Sequence, residues 1–390
     1  MAANEITPIA APKLSLPVGS IICQVSAVNT TCDLTSPINT LCEPSIEGHE
    51  LFSLPTIAFL ITHPTGRQIL FDLGCRKDFW NLPKPITDII NEKVPGIRVK
   101  KNLVDILTEG GIDPVNLEAA IISHHHYDHT GDPSTFPKSM DLIVGPGFSK
   151  EFLPGYPAVQ TAPLHEGSLD GRNVHELDFV DCPEVAGFPA VDYFKDRSLY
   201  ILNSPGHALG HISALVRTSE STFIFLGGDI CHFGGSFRPT PFNPMPSLLS
   251  SSEVGRGSNT SASICCTQFT ACHPNQQSAR TSPYYKVCTS SDSWYMNPLV
   301  AQCSIDKLKA IDADSQVLAL IAHDPGTLEV IPFFPSGTIN DWQKCGWKHQ
   351  LRWQFLDELS VDGKERRKLL VDGTYIEGNR VKDLAGNRVQ

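Results

Sequence analysis

The sequence predicts a layered α/β domain, and three observations carry that expectation. Short β-branched or apolar runs alternate with turn residues from Ile21 onward. Two segments between them space their apolar residues as an amphipathic helix does. The chain is also long enough, at 390 residues with 41% hydrophobic and 19% charged content, to enclose a sizeable core.

Taken in order, residues 1–20 are rich in Ala and Pro and read as a loosely held leader. Strands are expected at Ile21–Val28, Thr56–Thr62, Gln68–Phe71, Ala119–Ile122 and Leu142–Val144. Further strands are expected at Leu199–Leu202, Ser213–Val216, Thr222–Leu226 and Gln316–Ile321. Lys101–Gly110 carries apolar residues at 103, 104, 106 and 107 and ends at Gly110-Gly111, the pattern of a short helix; Ile305–Ile311 is a second. The main domain is expected over 21–337. Residues 236–295, rich in Ser, Thr, Pro, Asn and Cys and without periodicity, read as a long insertion able to form a lid. Residues 338–390 read as a charged extension, docked through Trp342, Trp347 and Trp353, with Gly-containing turns at 363, 373, 378 and 386.

Composition narrows the class of function. A formal net charge of -11 argues against a nucleic-acid partner, which needs clustered Lys and Arg. No apolar run approaches the ~20 residues of a membrane-spanning helix, so no membrane partner is expected. Residues 1–20 lack a charged-then-apolar secretory pattern, and the 12 cysteines have no regular spacing. Reduced thiols in the cytoplasm are therefore the expectation.

The chemistry is concentrated where apolar runs stop. The run Ala119–Ile122 leads directly into Ser123-His-His-His-Tyr-Asp-His129, placing four potential ligands, His124, His126, Asp128 and His129, within six residues. Imidazole and carboxylate are what divalent zinc, iron or manganese accept. His124 and His126 are two apart, so both rings point the same way in an extended segment, while a turn can swing Asp128 and His129 toward a neighbouring position. Three more apolar runs end similarly: at Pro205-Gly206-His207, at Gly227-Gly228-Asp229 and at His323. Each alone is as readily a core histidine or a turn aspartate. Four strand ends that each supply a metal-type ligand point to two adjacent metal ions.

With these residues in place, the sequence resembles the metallo-β-lactamase fold superfamily, whose signature is His-x-His-x-Asp-His followed by a distant His, Asp and His. The resemblance spans roughly residues 20–335 and includes Phe71-Asp72-Leu73-Gly74, similar to the family's earlier Asp-x-Gly. It implies a four-layer αβ/βα sandwich with the metals at one edge of two facing sheets. By motif, His124, His126 and His207 would hold one metal, Asp128, His129 and His323 the other, and Asp229 would bridge them. Two zinc ions per chain are expected, with iron or manganese as alternatives. Asp72 would orient a ligand imidazole.

The form Ser-His-x-His-x-Asp-His is most similar to N-acyl homoserine lactone lactonases and to fungal-type relatives that open lactones or lactams. The implied reaction is hydrolysis of a small cyclic ester or amide, with a water acidified by two metals as nucleophile, in detoxification or secondary metabolism. The lactonases carry a Tyr three residues after the bridging Asp; here that position is His232, a candidate proton donor to the leaving group alongside Asp128 in the catalytic set. A thioesterase shares the ligand set and is the alternative within enzymes; a non-catalytic metal-binding sensor is the alternative outside them. His125, Tyr127 and His211 are expected to have structural roles, and His165, His175 and His349 to be surface or capping residues. Cys231 is placed to face the site, and Cys265, Cys266, Cys272, His273 and Cys288 lack the paired spacing of a structural zinc site.

Overall fold

In the computed structural model the described residues are 4–255, 263–360 and 367–389. Among them, two large mixed sheets dominate, one of nine strands and one of six. The first is centred on the antiparallel pair Gln24–Pro37 and Leu51–Thr62, followed by Gln68–Phe71, Leu117–Ile121 and Asp141–Val144. The second is built on Leu199–Asn203, Ile212–Arg217, Phe223–Leu226 and Val317–Leu320.

Alternation along each strand divides the apolar residues between two faces. Phe59, Ile61, Ile69, Phe71 and Ile121 of the first sheet meet Leu199, Ile201, Ala214, Ile224 and Leu320 of the second in the central core. The opposite faces are covered as well. Leu60, Leu70 and Ala120 pack under Leu103 and Leu107 of the helix Leu103–Glu109. Tyr200, Leu215, Phe225 and Ala319 pack under Ile305, Leu308 and Ile311 of the helix Pro298–Ala313. Helix, sheet, sheet and helix form four layers, and burial on both faces explains why these strands read as continuous apolar runs.

The structure corrects several boundaries. The first strand starts at Gln24 rather than Ile21 and continues to Pro37, because a register shift between Asn29 and Asp33, with Thr31 at φ 60°, lets a polar stretch keep pairing with 51–55. The helix expected at 305–311 begins at Pro298, where the Asn297 side chain caps the Val300 amide. Lys84–Lys93 is a further helix that the sequence reading did not include. In the C-terminal region, Gly373–Ile376 and Asn379–Asp383 form a hairpin at the edge of the nine-stranded sheet. Gly378 sits in its turn, whereas Gly373 lies in the strand itself, where a Cβ would come within 2.1 Å of the Lys382 carbonyl oxygen. The turn expected at 363 falls outside the described residues. Trp342 and Trp353 are buried and Trp347 packs against the central core. Residues from the leader are tied down too: the Arg217 guanidinium donates to the Pro17 carbonyl, and Glu5 accepts from Ser247. No helix of the described residues is long and apolar enough to cross a membrane.

Candidate metal centre

Parallel pairing decides where the polar residues emerge. Phe71 pairs with Ile121 and Leu226 with Leu320, both in parallel. The segments after these strands therefore leave on the same side: Asp72, then Ser123 to His129, then Asp229, then His323. His207 joins them after the strand ending at Asn203. Every metal-type ligand expected from the sequence reaches this one edge of the sandwich.

Within it, two groups form. The His207 Nε2 lies 3.2 Å from the His124 Nε2 and 3.0 Å from the His126 Nδ1. Asp128 and His129 sit in the single-turn helix Tyr127–Thr130, and both face His323, whose Nε2 is 3.5 Å from the Asp128 Oδ2. Asp229 lies between the groups. Its Oδ2 is 3.6 Å from the His124 Nε2 and 3.4 Å from the His207 Nε2; its Oδ1 is 3.1 Å from the Nε2 of both His129 and His323.

Surrounding bonds dictate which ring nitrogen is bare. His129 donates Nδ1–H to the Asp72 Oδ2 at 2.8 Å, and His323 donates Nδ1–H to the Pro55 carbonyl at 2.8 Å. Ser123 Oγ donates to the Asp72 Oδ2 at 2.9 Å and accepts from the His124 Nδ1 at 3.0 Å. Asp72 adopts φ 63°, a left-handed conformation uncommon for a residue with a Cβ, and the Ser123 amide donates to its Oδ1 at 2.7 Å. His211 is an orienting residue: its Nδ1–H donates to the Ser204 carbonyl, and its Nε2 accepts from the Asp229 amide at 3.1 Å. Gly228, at φ 53°, lets the chain pass Ser123 where a Cβ would come within 2.9 Å.

These residues fit a pair of cations. Among the described residues, the buried His129 Nε2 and Asp229 Oδ1 have no hydrogen-bond partner, although they face each other at 3.1 Å. Lone pairs of neutral imidazoles gathered 3.0–3.2 Å apart repel unless a cation lies between them. Burial first, with neighbouring imidazoles adding to it, pushes His124 and His126 well below the usual histidine range; burial takes His207 down to about 3. On the other side burial is overcome: Asp229, Asp72 and Asp128 draw His129 well upward, and Asp229 and Asp128 draw His323 upward. Burial likewise opposes ionisation of Asp229, yet the imidazoles of His129, His323 and His232 hold its carboxyl well below the carboxylate range. One half of the cluster thus offers neutral donors and the other demands positive charge.

His232 is brought to the same place. Its Nε2 is 3.1 Å from the Asp229 Oδ2, and its Nδ1 is 2.9 Å from the hydroxyl of Tyr295, a residue the sequence reading did not single out. Burial pushes the Tyr295 phenol well up, so it remains a hydroxyl. The segment carrying it is anchored to the site through the Met296 amide, which donates to the His207 carbonyl at 2.8 Å.

The other candidates separate from the cluster. His125 faces away and packs on Phe152, with ring centroids 4.6 Å apart. Tyr127 is buried in the apolar core. His165 bonds to the Asn81 carbonyl, His175 to Asp141, and His349 lies near Glu253. Cys231 does not face the metal cluster as the sequence suggested: its thiol is directed to the Phe233 carbonyl and packs in the core, where burial pushes it well up. Among the described residues, the metal-type groupings are those around Asp229 and Asp128; the cysteines at 265, 266, 272 and 288 form none.

The fold and this cluster define a class, and sequence comparison establishes it: the chain belongs to the metallo-β-lactamase superfamily, whose profile matches residues 54–227. It is 35% identical over 359 residues to the gamma-lactamase FDB1 of Fusarium pseudograminearum, covering 90% of this chain and 85% of that one. It is 33% identical to the metallo-hydrolase mfmC of Annulohypoxylon moriforme, covering 92% and 93% of the two chains. The fold is similar to that of an AiiA variant from B. thuringiensis with N-decanoyl-L-homoserine bound at its active site, with a TM-score of 0.51 and 17% identity over 81% of this chain and 98% of that one. The protein is a hydrolase of this superfamily.

Proposed function

We propose that the protein opens the ring of a small lactam or lactone, using two metal ions held by His124, His126 and His207 on one side and Asp128, His129 and His323 on the other, with Asp229 shared. The observation that carries this reading is Asp229, whose two carboxylate oxygens face two separate sets of imidazoles. Zinc suits the ligand set best, and iron or manganese are also accommodated. Bound at these positions, the pair would polarise the ring carbonyl and acidify a water to near neutrality.

The protein's own residues supply the remainder. Asp72 and Ser123 hold the imidazoles of His129 and His124 in the tautomers that leave Nε2 bare. With the Tyr295 hydroxyl donating to Nδ1, the proton of His232 sits on Nε2, the atom nearest Asp229. From there it can pass to the ring nitrogen or oxygen as that atom leaves, the proton released by the attacking water taking its place on the imidazole. Asp128 is placed to orient the attacking water by accepting its proton's hydrogen bond. The names of the relatives, a gamma-lactamase among them, favour a cyclic amide over an open-chain ester. The 12 free cysteines suit a reducing compartment, and we place the protein in the cytoplasm on that ground.

The test is a hydrolysis screen of γ-lactams, γ-lactones and thioesters with metal-replete protein. Ring opening of a lactam or lactone is expected. Cleavage of thioesters alone would make it a thioesterase, and failure to turn over any of them would leave a metal-binding sensor.

A further inference from the structure

A cleft of about 380 Å³ lies beside the metal cluster, and none of the chemistry above uses it. One wall is Ile86 and Ile89 of the helix Lys84–Lys93, three apart and so on the same side. The facing wall is Trp294, whose amide is tied to the Thr40 carbonyl at 2.9 Å and whose indole packs against the core. His125, His126 and Tyr127 also line it.

Three features suit it to a ligand. Ile89 is 41% exposed on a helix whose nearby positions include Asp88, Glu92 and Lys93, the last also lining the cleft, so its apolar surface faces water until something covers it. Two polar atoms buried at its edge, His125 Nδ1 and Trp294 Nε1, have no partner among the described residues. The cleft is also continuous with the reacting centre. His126, Tyr127 and Trp294 border both this cleft and the small chamber that contains Asp128, Asp229, His232 and His323. Its size is at the lower end of small-molecule sites, and largely apolar walls with a few polar atoms are their usual lining.

We propose that this cleft is the subsite for a compact apolar substituent on the scissile ring, with Ile86, Ile89 and Trp294 as the residues that select it. The proposal rests on the ring-opening reading for what delivers the substituent there. It also gives His125, excluded from the metals by the alternation of the His124–Asp128 segment, a place in substrate recognition.

The decisive variant is Ile89→Asp, because an exposed helix position can accept a carboxylate without disturbing the core. Trp294→Ala is the second, with thermal unfolding measured on both. Steady-state kinetics on metal-loaded protein compare a phenyl-substituted γ-butyrolactone with the unsubstituted ring. The wild type is expected to have the lower KM for the phenyl compound, and Ile89→Asp to raise that KM by about tenfold or more while leaving kcat and the unsubstituted ring unchanged. Equal KM values in the wild type, or equal losses on both rings in the variants, would overturn the assignment. If neither ring is opened, the hydrolytic reading fails by itself, and fluorescence titration with the ring-opened phenyl hydroxy acid still decides the cleft. Saturable quenching in the wild type that Ile89→Asp and Trp294→Phe abolish supports it; no quenching in the wild type refutes it.

Discussion

At Asp229, two oxygens of one side chain face imidazoles from four different segments, and the residues around it exist to hold that arrangement. His211 fixes its backbone, Asp72 and Ser123 fix the rings opposite, and His232 approaches from three positions further along the chain. That these imidazoles and carboxylates gather at one edge is legible in the sequence because each follows an apolar strand and strand direction carries them there; their division into two sets comes from the family resemblance. Tyr295 was not legible: it is 63 residues from His232, at the end of an aperiodic segment, and only folding brings the two together. As a proton donor, His232 would matter most when the leaving group is poor. His232→Ala should therefore slow opening of an unactivated lactam by ~10²-fold or more, while an activated aryl ester loses much less. Equal losses on the two substrates, measured at full metal loading, would remove His232 from proton transfer.

Among the elements, the connection from the strand Leu199–Asn203 to His207 depends on a close approach. Gly206 has φ 125°, and a Cβ there would lie 2.2 Å from the Ala301 amide nitrogen and 2.4 Å from its Cα, on the helix Pro298–Ala313. Both atoms are backbone, so neither can swing aside. Gly206→Ala should push His207 away from His124 and His126, lowering metal retention and activity together, with a strain cost on the order of 1–3 kcal/mol. Full metal content and wild-type turnover in that variant would show the turn to be tolerant. The Pro-Gly-His turn was visible in the sequence; the helix it presses against was seen only from Ile305, because its first turn, Pro298-Leu-Val, follows an aperiodic stretch. The first strand was cut short for a related reason: Asn29 to Asp33 is polar, and the bulge that preserves pairing beyond it leaves no periodic trace. The C-terminal hairpin has half-exposed, largely polar strands, so only its Gly378 turn was recognisable.

For the whole molecule, the segments after Asp229 and after His323 are held to the body through buried polar groups. Arg238 pairs with Asp312 of the helix Pro298–Ala313 with both buried, and burial raises Glu358, near Arg367, Asp324 and Asp357, to about 8. A carboxyl raised in the folded state contributes its full stability below its unfolded value near 4.5 and loses it as pH climbs to about 8. Glu358→Gln should therefore flatten the fall in melting temperature between pH 5 and pH 8, a range taken from that shift. An unchanged slope would mean that Glu358 ionises freely in the folded protein. Layering was the most legible property at this scale, since strands buried on both faces need two helical covers. The claim on which the rest depends is that one edge of this sandwich holds two metal ions, and elemental analysis of active, gently purified protein tests it most directly. About two transition-metal ions per chain are expected, falling with activity when Asp229 is changed to Asn, because seven candidate ligands that share one carboxylate are too many for one tetrahedral ion. Fully active protein with one metal ion or none would contradict it.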